Sequence, residues 1–459
     1  MRKKLYISFC GLPDSGKSTL IKNFVKHVTL RDVAVDSLCD EEVKEMTIRS
    51  AQIFCRIPNS DYDIVFLDCP GHLELREEIK SCLSKSQILL FISDQKNHTE
   101  EENRAYIEEI RKIRSEITNE TVKKLNVINV YSHSSSKRQG HYDINDFASS
   151  DEEIKQKETT LESISQFILD KIETFWRRSL VESRNKNIPD LVDPETTARR
   201  IISEMMSVAK NPGAMISYGK DSIVMLSIAK DLGYHKKIHW CYPVSGFDMD
   251  GLSEDFIRKV NEKFDVEVEP YRVIPDDIGN WNFESKTVQE MMLKKAEMLN
   301  EKIAAEKFDY VMMGIRRDEE GVRAKEKFFS IRKNDGSADL YEQQYEEFGN
   351  EIGVVHSLVN FSEEHVRVHP LLDVSEADAW LYIKDHELPF CSEYVSKNGY
   401  RYRSLGDKPI TTPIPSYATT IDEIVKEVTW TLVPERSCRA KQDAAVKGNM
   451  ETIRSKGFF

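Results

Sequence analysis

"GAMISYGKDSIV", residues 213–224, runs apolar, then small and polar, then apolar again at helical spacing. The pattern predicts a short buried strand, a tight corner over Ser217-Tyr218-Gly219-Lys220-Asp221-Ser222, and the first turns of a helix. A helix N-terminus presents unpaired N–H groups and positive dipole, so a corner that adds two hydroxyls, a glycine and a lysine suits an anion. Taken alone, the hexapeptide could equally be a capped helix start with Ser or Asp as N-cap. A second corner of the same strand-to-helix kind, "CGLPDSGKSTL", occupies residues 10–20.

Outward from the first of these, in chain order, residues 1 to about 130 alternate apolar runs ("KLYISFC", "IVFLDC", "ILLFIS", "LNVINVY") with helical stretches ("STLIKNFVKHV", "EEENRAYIEEIRKI"). This predicts a parallel sheet covered by helices. Residues 134–157 are polar and rich in turn formers and are expected to be a long loop. "TLESISQFILDKIETFW" has helical periodicity and would close the first domain, and 177–197, charged and with two prolines, is the linker candidate. A second series follows, with strands expected in "AMIS", "IHWCYPV", "EVEPYRVI" and "YVMMGI" and helices near 221–232, 254–264, 286–307, 375–386 and 420–431. The expected fold class is α/β, two doubly wound domains. An irregular C-terminal extension follows them, and the boundaries are 1–180, a linker at 181–197, and 198–459.

The chain has 459 residues, long enough for about three ordinary domains. It is 40% hydrophobic and 31% charged, and no apolar run approaches the roughly 20 residues that span a bilayer, so a cytoplasmic protein without a membrane is expected. The net charge of −13 argues against broad nucleic-acid binding, so any anionic ligand must be held by local Lys and Arg clusters. The eight cysteines (10, 39, 55, 69, 82, 241, 391, 438) have no metal-ligand spacing and are expected to be reduced thiols.

Gly11 to Ser18 matches G-x-x-x-x-G-K-[ST], the Walker A pattern, between a strand and a helix. Gly11, Asp14, Ser15, Gly16, Lys17, Ser18 and Thr19 would wrap phosphate, with Lys17 on the outer phosphates and the Ser18 hydroxyl on Mg2+. "FLDCPGHLE" ends a strand at Asp68, whose carboxylate would hold the metal through water, with Gly71 near a γ-phosphate and His72 beside it. Thr47 in "EVKEMTIRSAQI" would be a second hydroxyl ligand. These residues resemble the nucleotide-binding domain of the translation-factor class of GTPases. That resemblance implies GTP, though the Asn-Lys-x-Asp that reads guanine is replaced by Tyr131-Ser-His-Ser, which leaves GTP or another nucleoside triphosphate open.

Ser217 to Ser222 resembles the S-G-G-K-D-S loop of ATP pyrophosphatases, with Tyr218 in place of the first glycine and its bulky side chain expected to point outward. "GIRRDEEGVRAKEKFFSIR", "VRVHPLLDVSEADAWLYI", "RYRSLGDKPITTPI" and the segment from "TIDEIVKEV" to the end resemble, in order and spacing, the small subunit of bacterial sulfate adenylyltransferase. The resemblance implies an adenine nucleotide alpha hydrolase-like domain. In it Ser217, Tyr218, Gly219, Lys220, Asp221, Ser222 and Gly314 would hold ATP, and Lys220, Arg316, Arg317 and Arg332 would be catalytic. Arg317, Arg332, Arg401 and Arg403 would contact the substrate anion. Asp221 or Asp318 would lie near Mg2+. Where that family continues with Val-Asp-Thr-Gly, this chain has Pro243-Val244-Ser245-Gly246-Phe247, without the acid.

Together the resemblances imply an enzyme that makes adenosine phosphosulfate and pyrophosphate from ATP and sulfate, driven by the first domain. Adenylation of another acceptor, or a nucleotide-sensing role without turnover, are the alternatives. A homo-oligomer or an additional sulfur-metabolism protein are the expected partners.

Overall fold

A computed structural model describes residues 1–21, 51–56, 62–94, 98–117, 126–134, 140–146, 193–272, 285–319, 323, 326–333, 356, 359–408, 411–430 and 435. They divide into two compact units, one drawn from 2–146 and the other from 193–435.

The first unit is a six-stranded sheet of β1 (Lys3–Cys10), β2 (Ala51–Arg56), β3 (Tyr62–Asp68), β4 (Ile88–Asp94), β5 (Asn126–Ser134) and β6 (Gly140–Asp146), ordered β2-β3-β1-β4-β5-β6. The four central strands are parallel, and β2 and β6 pair antiparallel at the edges. The sheet is therefore mixed where an all-parallel one is expected. The expected loop at 134–157 is corrected in the same place: Gly140–Asp146 is a strand registered on β5, Tyr131 opposite Asp143 and His133 opposite His141. Its polar sequence carries no apolar run because an edge strand need bury little. Helices α1 (Arg76–Lys85) and α2 (Glu100–Ser115) follow β3 and β4. Thr99 and Glu102 form a capping box that starts α2, and Tyr106 and Ile110 on its inner face meet Val65, Leu67, Leu89 and Phe91.

The second unit begins with α3 (Pro194–Val208), capped by Asp193 with proline in its first turn. This helix takes in residues 194–197, the end of the stretch expected as a linker. Its sheet is ordered β11-β12-β10-β7-β8-β9, from β7 (Pro212–Met215), β8 (His239–Val244), β9 (Val268–Arg272), β10 (Tyr310–Met313), β11 (Phe329–Lys333) and β12 (Glu364–Val368). All neighbours are parallel except β11 on β12. Helices α4 (Lys220–Asp231), α5 (Glu254–Phe264) and α6 (Ser285–Glu306) connect the strands, and α7 (Glu376–Asp385) and α8 (Ile421–Trp430) follow, with β13 (Tyr400–Arg401) and β14 (Ile414–Pro415) as a small ribbon between them. One face of the sheet buries Ala214, Met312, Val366 and Val368 against Val224, Ile228 and Trp380. Each of the buried Val, Ile and Met side chains contributes roughly 1.5–3 kcal/mol.

Both sheets reverse their strand order beside the strand that precedes a corner. β1 lies between β3 and β4, and β7 between β8 and β10. In doubly wound sheets the crevice at that reversal is where ligands bind, outside the carboxyl ends of the strands. Cys10, Cys69, Cys82, Cys241 and Cys391 are buried free thiols, as expected for these five. Among the described residues no helix is long and apolar enough to cross a membrane.

Candidate functional site

At the first corner the chain leaves β1 at Cys10, turns through Asp14 and Gly16, both with positive φ (58° and 85°), and enters a helix at residue 17. Lys17, 6% exposed, folds back over the loop and donates to the Gly11 and Leu12 carbonyls at 3.0 and 2.8 Å. Burial pushes its ammonium below the ordinary lysine value, although Asp68 pulls it up. Ser18 Oγ donates to Asp68 Oδ2 at 2.7 Å, so two of the three residues expected around a magnesium ion lie side by side. Gly71 is required by close approach: a Cβ there would stand 2.6 Å from the Pro13 nitrogen and 2.9 Å from Lys17 Nζ. His72 caps a short 3-10 turn, Leu73–Leu75, without a side-chain bond to it. Ser15 is buried, and Thr19 lies in the first turn of the helix. Thr47 lies outside the described residues.

Two contacts of this loop are not visible in the motif. His98 Nε2 is 2.7 Å from the Pro13 carbonyl oxygen, and Tyr106 Oη donates to the Pro70 carbonyl at 3.4 Å. The segment 131–134, where the GTPase class reads its base, is strand paired with β6.

At the second corner Tyr218 has φ 54°, in the left-handed region where the related loops carry glycine. The expectation that its side chain points outward is wrong. The ring is fully buried, edge-on to Tyr242 with centroids 5.0 Å apart, and its hydroxyl donates to Asn261 Oδ1 at 2.9 Å. The turned backbone swings the ring into the core, and its one polar atom finds a partner there. Gly219 caps α4 and Ser222 Oγ donates to its carbonyl at 3.0 Å, 3.4 Å from Ser217 Oγ. Gly314, just beyond β10, packs against the start of α4: a Cβ there would meet the Ser222 nitrogen at 3.2 Å.

Through that contact β10 delivers Arg316 to the corner. Lys220 Nζ bonds Glu435 Oε1 at 2.5 Å and lies 3.3 Å from Asp221; Arg316 pairs with Asp221 at 2.8 Å, with Asp318, and with Glu435 Oε2. Burial alone would push Lys220 down, but Asp221 and Glu435 outweigh it and hold the ammonium above its ordinary value. Burial lifts Asp318 to about 6 against the pull of Arg316. Three carboxylates therefore meet two cations. Asp318 also accepts the Glu376 backbone N–H at 2.7 Å at the start of α7, and Glu376 in turn grips Arg403 at 2.6 Å. The Lys220 backbone N–H donates to Tyr394 Oη at 3.1 Å.

The other expected anion contacts stand apart in ion pairs of their own. Arg317 pairs with Asp373 at 2.5 Å and lies 4.9 Å over the Phe328 ring, Arg332 lies 3.6 Å from Glu326, and Arg401 bonds Glu427 at 2.7 Å. The structure thus joins Lys220, Asp221, Arg316 and Gly314 directly and Arg403 through Glu376. Glu435 and Tyr394 carried no motif signal. Asp248, beyond the turn that lacks the family's acid, hydrogen bonds to Tyr242.

A phosphate-type loop at the reversal of each of two α/β sheets defines the class: a chain of a P-loop unit followed by a pyrophosphate-loop unit. Two family models match the chain and overlap over residues 211–266. The family model of the elongation factor Tu GTP-binding domain matches residues 2–266, and that of the phosphoadenosine phosphosulfate reductase domain matches 211–413. The chain is 30% identical over 309 residues to sulfate adenylyltransferase subunit 2 of Trichlorobacter lovleyi, covering 60% of this chain and 99% of that protein. It is 28% identical to the subunit 2 protein of Rhizobium etli, with 59% and 93% covered. A crystal structure of phosphoadenylyl-sulfate reductase from Candida auris is similar at 15% identity and a TM-score of 0.32, with 46% of this chain and 88% of that chain covered. The chain belongs to the sulfate adenylyltransferase subunit 2 family, with an elongation factor Tu-type GTP-binding domain at its amino-terminal side.

Proposed function

We propose that the second unit transfers the adenylyl group of ATP to sulfate, releasing pyrophosphate and forming adenosine phosphosulfate. The observation that carries this reading is the meeting of Lys220 and Arg316 at a helix N-terminus, at the reversal of the sheet. A sulfate oxygen attacks the α-phosphorus, the bond from that phosphorus to the bridging oxygen breaks, and the electron pair leaves with pyrophosphate. Lys220, Arg316, Ser217, Ser222 and the first N–H groups of α4 stabilise the charge that accumulates on the leaving group. Arg317, Arg332, Arg401 and Arg403 are read as the further anion contacts, reached when substrate exchanges with their carboxylate partners.

Hard oxygen donors suit magnesium, and the carboxylate surplus at Asp221, Asp318 and Glu435 fits that ion in the second unit as Ser18 and Asp68 do in the first. The ion would neutralise triphosphate charge at each site. The relatives are named as subunit 2, which suggests an accompanying subunit in those enzymes. Here we read the first unit as the driver carried in the same chain, with residues 68–72 and Thr47 responding to the γ-phosphate of GTP or another triphosphate. We read 1–180 and 198–459 as the two domains.

The test is to incubate the protein with ATP, magnesium and sulfate, with and without GTP, and to follow pyrophosphate and adenosine phosphosulfate. Sulfate-dependent release of both, raised by GTP, is expected. Release stimulated by a different acceptor would replace sulfate, and absence of any pyrophosphate would remove the enzymatic reading.

A further inference from the structure

Glu435 is separated from Lys220 by 215 positions in sequence, yet its carboxylate spans the two cations that a leaving pyrophosphate needs. One oxygen takes Lys220 Nζ and the other takes Arg316 Nη2. Beside it, Tyr394 Oη takes the backbone N–H of Lys220, the first donor of α4. The side chains of Glu435 and Tyr394 are both buried, at 2% exposure. Two oxygens on two cationic donors, with a third oxygen on a helix N-terminal N–H, is the arrangement that a bound phosphate edge makes.

Neutralisation does not call for this contact. Lys220 already has Asp221 at 3.3 Å, and Arg316 already has Asp221 and Asp318. Arg403, whose charge also acts on Glu435, is itself gripped by Glu376, and burying one more carboxylate among these groups costs desolvation. The spot is thus shaped for an anion beyond Asp221 and Asp318. Glu435 remains ionised there: burial pushes its carboxyl up, but Arg316 and Lys220 outweigh it and hold it below the usual carboxylate range.

We infer that Glu435, with Tyr394 beside it, is an internal stand-in for phosphate that competes with the terminal phosphates of ATP, and with pyrophosphate, for Lys220 and Arg316. The inference rests on the proposal that this corner grips ATP. Nucleotide binding then exchanges one set of oxygens for another, so no bare cation is exposed at any stage. After transfer, the return of the carboxylate to Lys220 and Arg316 helps expel pyrophosphate. Glu435 lowers affinity for substrate and for this product alike.

The experiment is calorimetric titration of the full chain, in magnesium, with pyrophosphate and with α,β-methylene-ATP. A Lys17→Met background silences the first loop. Glu435→Gln keeps the side chain's size and removes its charge. Both ligands are expected to bind about tenfold tighter or more, the worth of one charge-assisted hydrogen bond. Tyr394→Phe, which frees the Lys220 N–H, is expected to tighten binding by a smaller factor. Should Glu435→Gln fail to fold, Tyr394→Phe decides alone, tightening supporting the inference and no change overturning it. Unchanged or weaker binding by a Glu435→Gln protein that unfolds at the wild-type temperature overturns the inference. If neither ligand binds any form, the corner is not a phosphate site and the proposed function falls with it. If pyrophosphate tightens while sulfate yields no product, the inference stands and only the acceptor is wrong.

Discussion

The two corners solve one problem in opposite ways. At the first, Lys17 is held by the carbonyls of its own loop, within six residues, and Ser18 donates to Asp68. At the second, Lys220 is held by carboxylates, one of them from the far end of the chain. A carbonyl leaves the lysine's charge in place and gives way to phosphate at small cost. A carboxylate cancels that charge and must be displaced. The lysine of the first corner is held within its own loop, whereas that of the second is held only when segments from β7, β10 and the C-terminal region have assembled.

The largest expected effect tests that difference directly. Lys220→Met should lower pyrophosphate formation about a thousandfold, the scale for removing a cation from a developing charge, while nucleotide binding at the first loop stays at the wild-type level. If sulfate-dependent release survives the change, Lys220 is not the group that receives pyrophosphate. A smaller effect is expected at the first loop. Gly71→Ala places a methyl group 2.6 Å from the Pro13 nitrogen and 2.9 Å from Lys17 Nζ, so either the loop or the lysine must move. Triphosphate binding there should weaken about a hundredfold, near the upper range for overpacking, with pyrophosphate affinity at the second corner intact. Normal binding by that variant would mean the loop at 68–72 yields freely.

The smallest effect is a stability difference confined to the second unit. Burial lowers His369 to about 4 and His365 well below the ordinary histidine value, with Arg367 and Arg332 adding to the effect at His365. The unfolded chain takes up protons near pH 6.5 that the folded chain refuses until about 4. Stability is therefore fully present above pH 6.5 and is lost as pH falls through that window. His369 alone should cost about 2 kcal/mol between pH 7 and pH 5. Urea midpoints followed by the fluorescence of Trp240 and Trp380 should fall accordingly, and His369→Gln should flatten the slope. An unchanged midpoint at pH 5 would mean that these rings are protonated in the folded state.

The architecture was legible where apolar runs meet turn residues: β1, β3, β4 and β5 in the first unit and β7 to β10 in the second stand where hydrophobic periodicity placed them. β12 escaped because it buries His365 and Arg367 on one face, and a strand with charge inside has no apolar signature. α3 escaped because Pro194 was read as a breaker, although after Asp193 it is a start signal. In the candidate site, local motifs mark the two corners themselves, because each loop is contiguous in sequence, whereas Asp68 meets Ser18 from 50 positions away. Glu435, although it lies in the C-terminal segment that carries the resemblance, and Tyr394 were given no role, since their partners are set by tertiary contact. Tyr218 was misplaced because the sign of its φ decides where the ring goes, and a side chain's size says nothing about that sign.

Gly314 closes against the nitrogen of Ser222, which fixes β10 to the head of α4 by touch. The spacing between the lysine and the arginine that face one another across the crevice is therefore indifferent to how much chain runs between them. Relatives could lengthen or prune the intervening excursions without loosening the jaw, but a methyl group on that one residue would meet the Ser222 nitrogen at 3.2 Å and make the head of α4 give way slightly.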